Sequence, residues 1–187
     1  MNIFKKAAAT FLVVLFCVAA VLVGRVYLSG PRYGLTARDW ARARGNPEAP
    51  VWIVEYTDLS SRQCVESGRY LASVAADPLS VFYQVRFLAK DRSALDTVLR
   101  FECAARQGKF WPFHDAWLKN QAARINGKKL AECLRRPEIE EAIRDETKKA
   151  EALGIRSIPT YFVNGKKVSG LADLKKLFDA KFSWESV

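Results

Sequence analysis

The chain has 187 residues, 50% of them hydrophobic, with a formal net charge of +10 and a pI of ≈ 9.6. That composition argues against a disordered chain and leaves room for one folded domain with an appendage. The basic balance permits attraction to nucleic acid or anionic lipid. The bases are scattered, however, and from Arg135 to Lys149 they alternate with acids, as on a solvated helix face. No base-reading motif is present, and no aromatics interleave with a basic run, so no nucleic-acid partner is expected. Four cysteines and a single histidine, with no paired Cys-x-x-Cys, offer no metal site and no cofactor site.

Lys5 and Lys6 precede an uncharged apolar run from Ala7 to Gly24, which Val26, Tyr27 and Leu28 extend. About 18 residues is the lower end of what crosses a bilayer as a helix. Residues 1–28 are therefore expected to be an N-terminal transmembrane anchor, with 7–28 in the membrane. The competing reading is a cleaved signal peptide, but Val18-Ala19-Ala20 falls inside the apolar run rather than after it. A lipoprotein would need a small residue before Cys17, and Phe16 stands there. Lys5 and Lys6 argue for an inside amino terminus, whereas Arg25, Arg32, Arg38, Arg42 and Arg44 argue the opposite way, so charge alone leaves orientation open.

Residues 29–50 carry Gly30, Pro31, Gly34, Gly45, Pro47 and Pro50 and read as a stalk, interrupted by a short helix around Ala37 to Arg44. The folded domain is expected over 51–187. Val51 to Tyr56 is rich in β-branched and aromatic residues and predicts a buried strand. Ser60-x-x-Gln63 fits a capping box for a helix over Cys64 to Ala76, which Asp77 and Pro78 end. Val81 to Leu88 predicts a second strand, parallel to the first through the crossover helix.

Helices follow over Ser93–Arg106, Phe110–Asn120, Lys128–Arg135 and Pro137–Leu153, the last opening on Pro and acids. Thr160 to Val163 reads as a strand. Asn164-Gly165 reads as a hairpin turn into Lys167-Val168, and Ala172 to Ala180 as a final helix. The fold class is α/β: strand-helix-strand, a helical insertion over about 91–153, then strand-hairpin-strand-helix.

Several motifs sit on this frame in order. They are Gly45-Asn46-Pro47-Glu48-Ala49-Pro50-Val51, Glu55-Tyr56-Thr57-Asp58, Glu102 to Trp111, Phe113-His114-Asp115, Leu153-Gly154-Ile155, and Ile158-Pro159-Thr160 with Phe162-Val163-Asn164-Gly165. Together, over roughly Asp39 to Phe182, they resemble the DsbA-like thiol oxidoreductases of the thioredoxin superfamily. The resemblance implies a thioredoxin-like fold with a helical insertion. It places the family's nucleophilic cysteine at Ser61, its resolving cysteine at Cys64 and its cis-proline at Pro159. Arg62-Gln63 replaces the usual Pro-Tyr or Pro-His. The departure is concentrated at the chemical centre.

Thiol exchange needs a thiolate. Ser61 does not ionise near neutral pH, and nucleophilic attack would require a base beside it. The bland reading of Ser60 and Ser61 is helix capping. Cys64 is either a buried, inert thiol or a lone thiol that forms mixed disulfides. His114, with Phe110, Trp111, Phe113 and Trp117, reads as part of an aromatic helix face. Asp58 reads as a relic of proton transfer or as a polar end to the strand.

The resemblance further implies a structural disulfide between Cys103 and Cys133, against the alternative of two buried free thiols. Closing a loop of about 30 residues would contribute about 3.5 kcal/mol in the chain-entropy model. The expected function is a redox-inactive binding or structural module on the periplasmic side of a bacterial inner membrane. Its partner would be a protein or peptide, such as other subunits of a membrane complex. The alternative is a thiol-disulfide oxidoreductase or isomerase working through Cys64.

Overall fold

A computed structural model describes residues 37–182. The expected anchor over 7–28 and Cys17 lie outside the described residues. Among those described, no helix is long and apolar enough to cross a membrane.

The elements are α1 (Ala37–Ala41), β1 (Ala43–Arg44), β2 (Val51–Thr57), α2 (Arg62–Val74), β3 (Val81–Phe87) and α3 (Arg92–Ala105). They continue with α4 (Phe110–Leu118), α5 (Gly127–Leu134), α6 (Pro137–Ala152), β4 (Thr160–Val163), β5 (Lys166–Ser169) and α7 (Leu171–Phe182). One sheet runs β1-β3-β2-β4-β5. β2 and β3 are parallel, with Ile53 opposite Tyr83 and Glu55 opposite Val85. β4 runs antiparallel to β2, and β5 antiparallel to β4. β2 is the central strand, which is why its sequence is apolar on both faces.

One face of the sheet, through Ile53, Tyr83, Val85, Phe87 and Tyr161, packs with Leu71 of α2 and with Leu95, Val98, Phe101, Ile139 and Ile143 of the insertion. This is the main core. On the other face Trp52 packs on Phe82 at 4.2 Å between ring centroids, and Trp40 of α1 meets the Phe82 edge. Near the far end of β2 on that face, Tyr56, Leu88, Ala150 and Ile155 form a smaller cluster.

The hairpin between β4 and β5 turns on Asn164 (φ 48) and Gly165 (φ 82), the two left-handed residues that such a turn demands. Asn164 is also a fastener. Its Oδ1 accepts the Trp52 amide at 2.7 Å, and its Nδ2 donates to the Pro50 carbonyl at 3.0 Å. Pro137 at the first position of α6, followed by Glu138 and Glu140, starts that helix in agreement with its dipole.

The segment read as a stalk contributes to the sheet from Ala43 onward, where a short helix had been expected to run through Arg44. The helix stops at Ala41, and Ala43 and Arg44 pair with Gln84 and Tyr83 as an edge strand. Gly45 then turns the chain at φ 94. A side chain there would put its Cβ 2.0 Å from the Val81 carbonyl oxygen, so only glycine fits.

Arg42 is buried. It meets Glu102 of α3 at 3.2 Å and Glu146 of α6 at 3.1 Å, and its guanidinium lies 5.2 Å from the Phe87 ring centroid. Glu146 also accepts the Phe87 amide. Charge that read as a solvent-exposed stalk thus ties β1 to the insertion.

Candidate functional site

The site lies where β2 ends and α2 begins. Thr57 closes the strand, and the chain turns through Asp58, Leu59, Ser60 and Ser61 into the helix. Asp58 is buried, and its Oδ1 accepts the amides of Ser60 at 3.0 Å and Ser61 at 3.3 Å. Its observed work is therefore local, holding the turn. Leu59 sits at φ 54, a conformation that costs a non-glycine residue about 1–2 kcal/mol. It is held there by full burial and by the Trp117 indole N–H of α4, which donates to its carbonyl at 2.9 Å.

Ser61, not Ser60, caps the helix. The extended backbone of Ser61 directs its Oγ to accept the Cys64 amide at 3.3 Å. The helix consequently starts at Arg62, two residues before the expected start at Cys64, and ends at Val74 rather than Ala76. The cap falls one residue later than the Ser60-x-x-Gln63 pattern suggested.

Cys64 is fully buried, and it is the one free cysteine among the described residues. Burial pushes its thiol up from the ordinary value. Hydrogen bonds with the Ser61 and Thr57 hydroxyls and the Asp58 backbone only partly oppose that shift. Such a thiol is neither exposed nor ionised at neutral pH. Arg62 points outward and pairs with Glu66 at 2.8 Å, one helical turn on.

The Ile158–Pro159 peptide bond is cis. Pro159 and Ile158 share a groove of ≈ 420 Å³ with Gln63 and Glu66 of α2 and with Gly170 and Leu171 at the start of α7. The Pro159 carbonyl is taken by the Gly170 amide at 3.2 Å, and the Ser157 carbonyl by the Thr160 hydroxyl at 2.7 Å. The backbone of Ile158 between them makes no hydrogen bond among the described residues.

A second acid lies beneath the loop. Glu55 of β2 is completely buried, and Ser67 Oγ of α2 donates to its Oε1 at 2.6 Å while the Tyr83 hydroxyl of β3 donates to its Oε2. Ser67 Oγ also lies 2.6 Å from the Tyr161 hydroxyl of β4. Burial raises the Glu55 carboxyl from 4.5 to about 7, against the two hydrogen bonds. Burial likewise raises the Tyr161 and Tyr83 phenols. The sequence offered Asp58 as a relic of proton transfer or as a polar end to the strand, and Glu55 was not singled out. The available signal was an acid on the same side of the strand as Ile53 and Thr57, in an otherwise apolar run.

The remaining expected residues lie elsewhere. Cys103 and Cys133 form a disulfide, with Cα atoms 5.8 Å apart, that joins α3 to α5 in the insertion. His114 is buried among Phe110, Phe101, Trp111 and Tyr83, and its Nδ1 is 3.0 Å from Asp115. Asp115 in turn accepts from Arg44 of β1 at 3.2 Å. Burial lowers the His114 imidazole, so it is a neutral packing residue bonded toward β1.

A strand feeding a capped helix, faced by a cis-proline loop and interrupted by a helical insertion, defines a thioredoxin-like fold of the DsbA type. The chain belongs to the thioredoxin family, whose model matches residues 39–180.

The fold is similar to that of Pseudomonas aeruginosa DsbA2, with 24% identity and a TM-score of 0.66 over 82% of this chain and 97% of that one. It is also similar to a thioredoxin-like oxidoreductase from Silicibacter pomeroyi, at 22% identity and a TM-score of 0.65 over 81% and 95% of the two chains. Among curated proteins, the chain is 28% identical over 165 residues to Na(+)/H(+) antiporter NhaA 3 of Salinispora tropica, covering 78% of this chain. It spans only 25% of that relative's length.

Proposed function

We propose that this protein is a membrane-anchored, extracytoplasmic DsbA-like module that holds an extended peptide or a subunit segment without ordinary thiol–disulfide exchange. The observation that carries the reading is the pairing of Ser61 at the helix cap with a Cys64 thiol that is fully buried. The loop keeps the helix-start amides that would stabilise a thiolate at position 61, but no sulfur is there to use them.

The groove beside Pro159 supports the binding half of the proposal. Ile158, Pro159 and Leu171 line it, and the Ile158 backbone, which makes no hydrogen bond among the described residues, is available for main-chain pairing with an extended strand. The apolar run over 7–28 supports the anchor, and the Cys103–Cys133 disulfide accords with an oxidising compartment. The match to part of proteins named Na(+)/H(+) antiporters is in keeping with a domain that works beside a membrane protein.

Calorimetric titration of the detergent-solubilised full-length protein with reduced, S-alkylated insulin B chain tests the binding. Saturable binding that is lost in Ala172→Trp, which puts a bulky side chain at a position lining the groove, is the expected result. Absence of binding, or binding that survives the filled groove, overturns it. Wild-type turnover that disappears in Cys64→Ser would instead establish an enzyme working through Cys64.

A further inference from the structure

A second cavity, of ≈ 360 Å³, lies against the later half of α2. Arg44 of β1, Arg69 of α2 and Lys119 at the end of α4 line it, together with Asp115, Ala72 and Leu118. It shares no lining residue with the groove beside Pro159, so it stands independently of the peptide reading.

The charges of this cavity do not cancel. Asp115 is its one acid among the described residues. That carboxylate is already engaged, by Arg44 Nη1 at 3.2 Å and by His114 Nδ1 at 3.0 Å. The Arg44 guanidinium lies 4.2 Å from the Trp111 ring centroid, and its Nε and Nη2 are buried with no acceptor among the described residues. Arg69 donates its Nε to the Leu118 carbonyl at 2.7 Å, a neutral acceptor. Neither Arg69 nor Lys119 joins an ion pair among the described residues. Three bases against one acid leave an excess of two positive charges.

Helix capping accounts for part of this. A cation suits the carbonyl end of α4, and Arg69 closes one of its open carbonyls. That uses one of the Arg69 donors and none of those of Lys119. Ser73, also in the lining, has no hydrogen to spare, because its hydroxyl donates to the Tyr70 carbonyl at 2.7 Å. The donors left for a ligand are therefore all cationic, with Ala72 and Leu118 as an apolar wall beside them.

We propose that this cavity binds a small phosphate monoester, with Arg69 and Lys119 bonding the phosphate oxygens, Arg44 adding its positive charge, and Ala72 and Leu118 packing on the organic part. A phosphate monoester carries a charge of about −1.5 to −2 at neutral pH, which answers the excess of two, and it offers several acceptor oxygens to the bases. A carboxylate would leave one positive charge unanswered. The volume falls at the lower end of ligand cavities, about 300–1,000 Å³, so the ester is small. A soluble glycerol phosphate and the headgroup of a phosphatidic acid share this chemistry.

Calorimetric titration of the full-length protein in neutral detergent with glycerol 3-phosphate, and separately with dihexanoyl phosphatidic acid, tests the site. Glycerol 3-phosphate should bind saturably. Arg69→Ala and Lys119→Ala should each weaken it about tenfold, the scale of one hydrogen bond to a charged group. Arg100→Ala and Lys148→Ala remove exposed bases outside the cavity and should bind as the wild type does, which separates a site from general attraction to a basic chain. Tighter binding of the phosphatidic acid, with the same dependence on Arg69 and Lys119, identifies a lipid headgroup as the source. Equal or weaker binding with that dependence identifies a soluble ester. No saturable binding of either probe, acetate binding as tightly, or equal losses in the Arg100 and Lys148 variants overturns the proposal. If Arg69→Ala fails to fold for want of its bond to Leu118, Lys119→Ala decides alone.

Discussion

The insertion and the site loop are held by different means. The insertion is fixed by strong, buried devices: the Cys103–Cys133 disulfide and the Arg42 guanidinium between Glu102 and Glu146. The loop from Asp58 to Cys64 is fixed by a set of single hydrogen bonds, from Asp58 to two amides, from Ser61 to Cys64 and from Trp117 to Leu59. Stability is thus vested away from the loop that carries Ser61 and Cys64. A substitution at Ser61 therefore touches one helix cap and leaves the devices that hold the insertion in place.

The contrast would break first at Arg42. Arg42→Ala should remove the buried cation that meets both Glu102 and Glu146 and cost about 3–5 kcal/mol in denaturant unfolding. A loss below about 1 kcal/mol would show that β1 is not locked to the insertion. Next comes the disulfide. Cys103→Ala with Cys133→Ala should cost about 3.5 kcal/mol, because the closed loop of 30 residues becomes free in the unfolded chain. Peptide binding at the groove should survive in whatever fraction stays folded.

Glu55 sharpens the comparison through pH. Its folded value, about 7, lies above the ordinary 4.5, so its favourable contribution is complete below about 4.5 and is lost as pH rises through about 7. Glu55→Gln should therefore gain on the wild type as pH increases, by at most on the order of 3 kcal/mol above pH 8. His114 works in the opposite direction, since its depressed value makes acid unfavourable, but it is common to both proteins and cancels in the difference. An identical pH profile for the two would mean that Glu55 does not titrate between those limits. The smallest effect is expected at the loop itself. Ser61→Ala should remove one cap and cost about 1 kcal/mol, read as a modest drop in melting temperature.

Much of the fold was legible from the chain because its strands are β-branched and aromatic and its turns carry their own chemistry. Asn164-Gly165 is the clearest case, since a hairpin of two left-handed residues leaves few other choices. Pro159 and the Cys103–Cys133 pair were placed by family resemblance rather than by any local signal. The edge strand Ala43–Arg44 was not legible. Two residues have no period, and Arg42 among Gly, Pro and other arginines reads as solvent-facing charge. Its burial depends on Glu102 and Glu146, which only the folded insertion brings together. Glu55 was hidden for a related reason, because its hydroxyl partners, Ser67 and Tyr83, come from two separate elements.

The central claim is that one missing sulfur separates this scaffold from thiol exchange. The most direct test is insulin reduction by the full-length wild type and by Ser61→Cys, side by side in detergent. The account predicts no turnover above background for the wild type and measurable turnover for Ser61→Cys, abolished again when Cys64→Ser is added. Wild-type turnover that depends on Cys64, or a folded Ser61→Cys that stays inert, would contradict it.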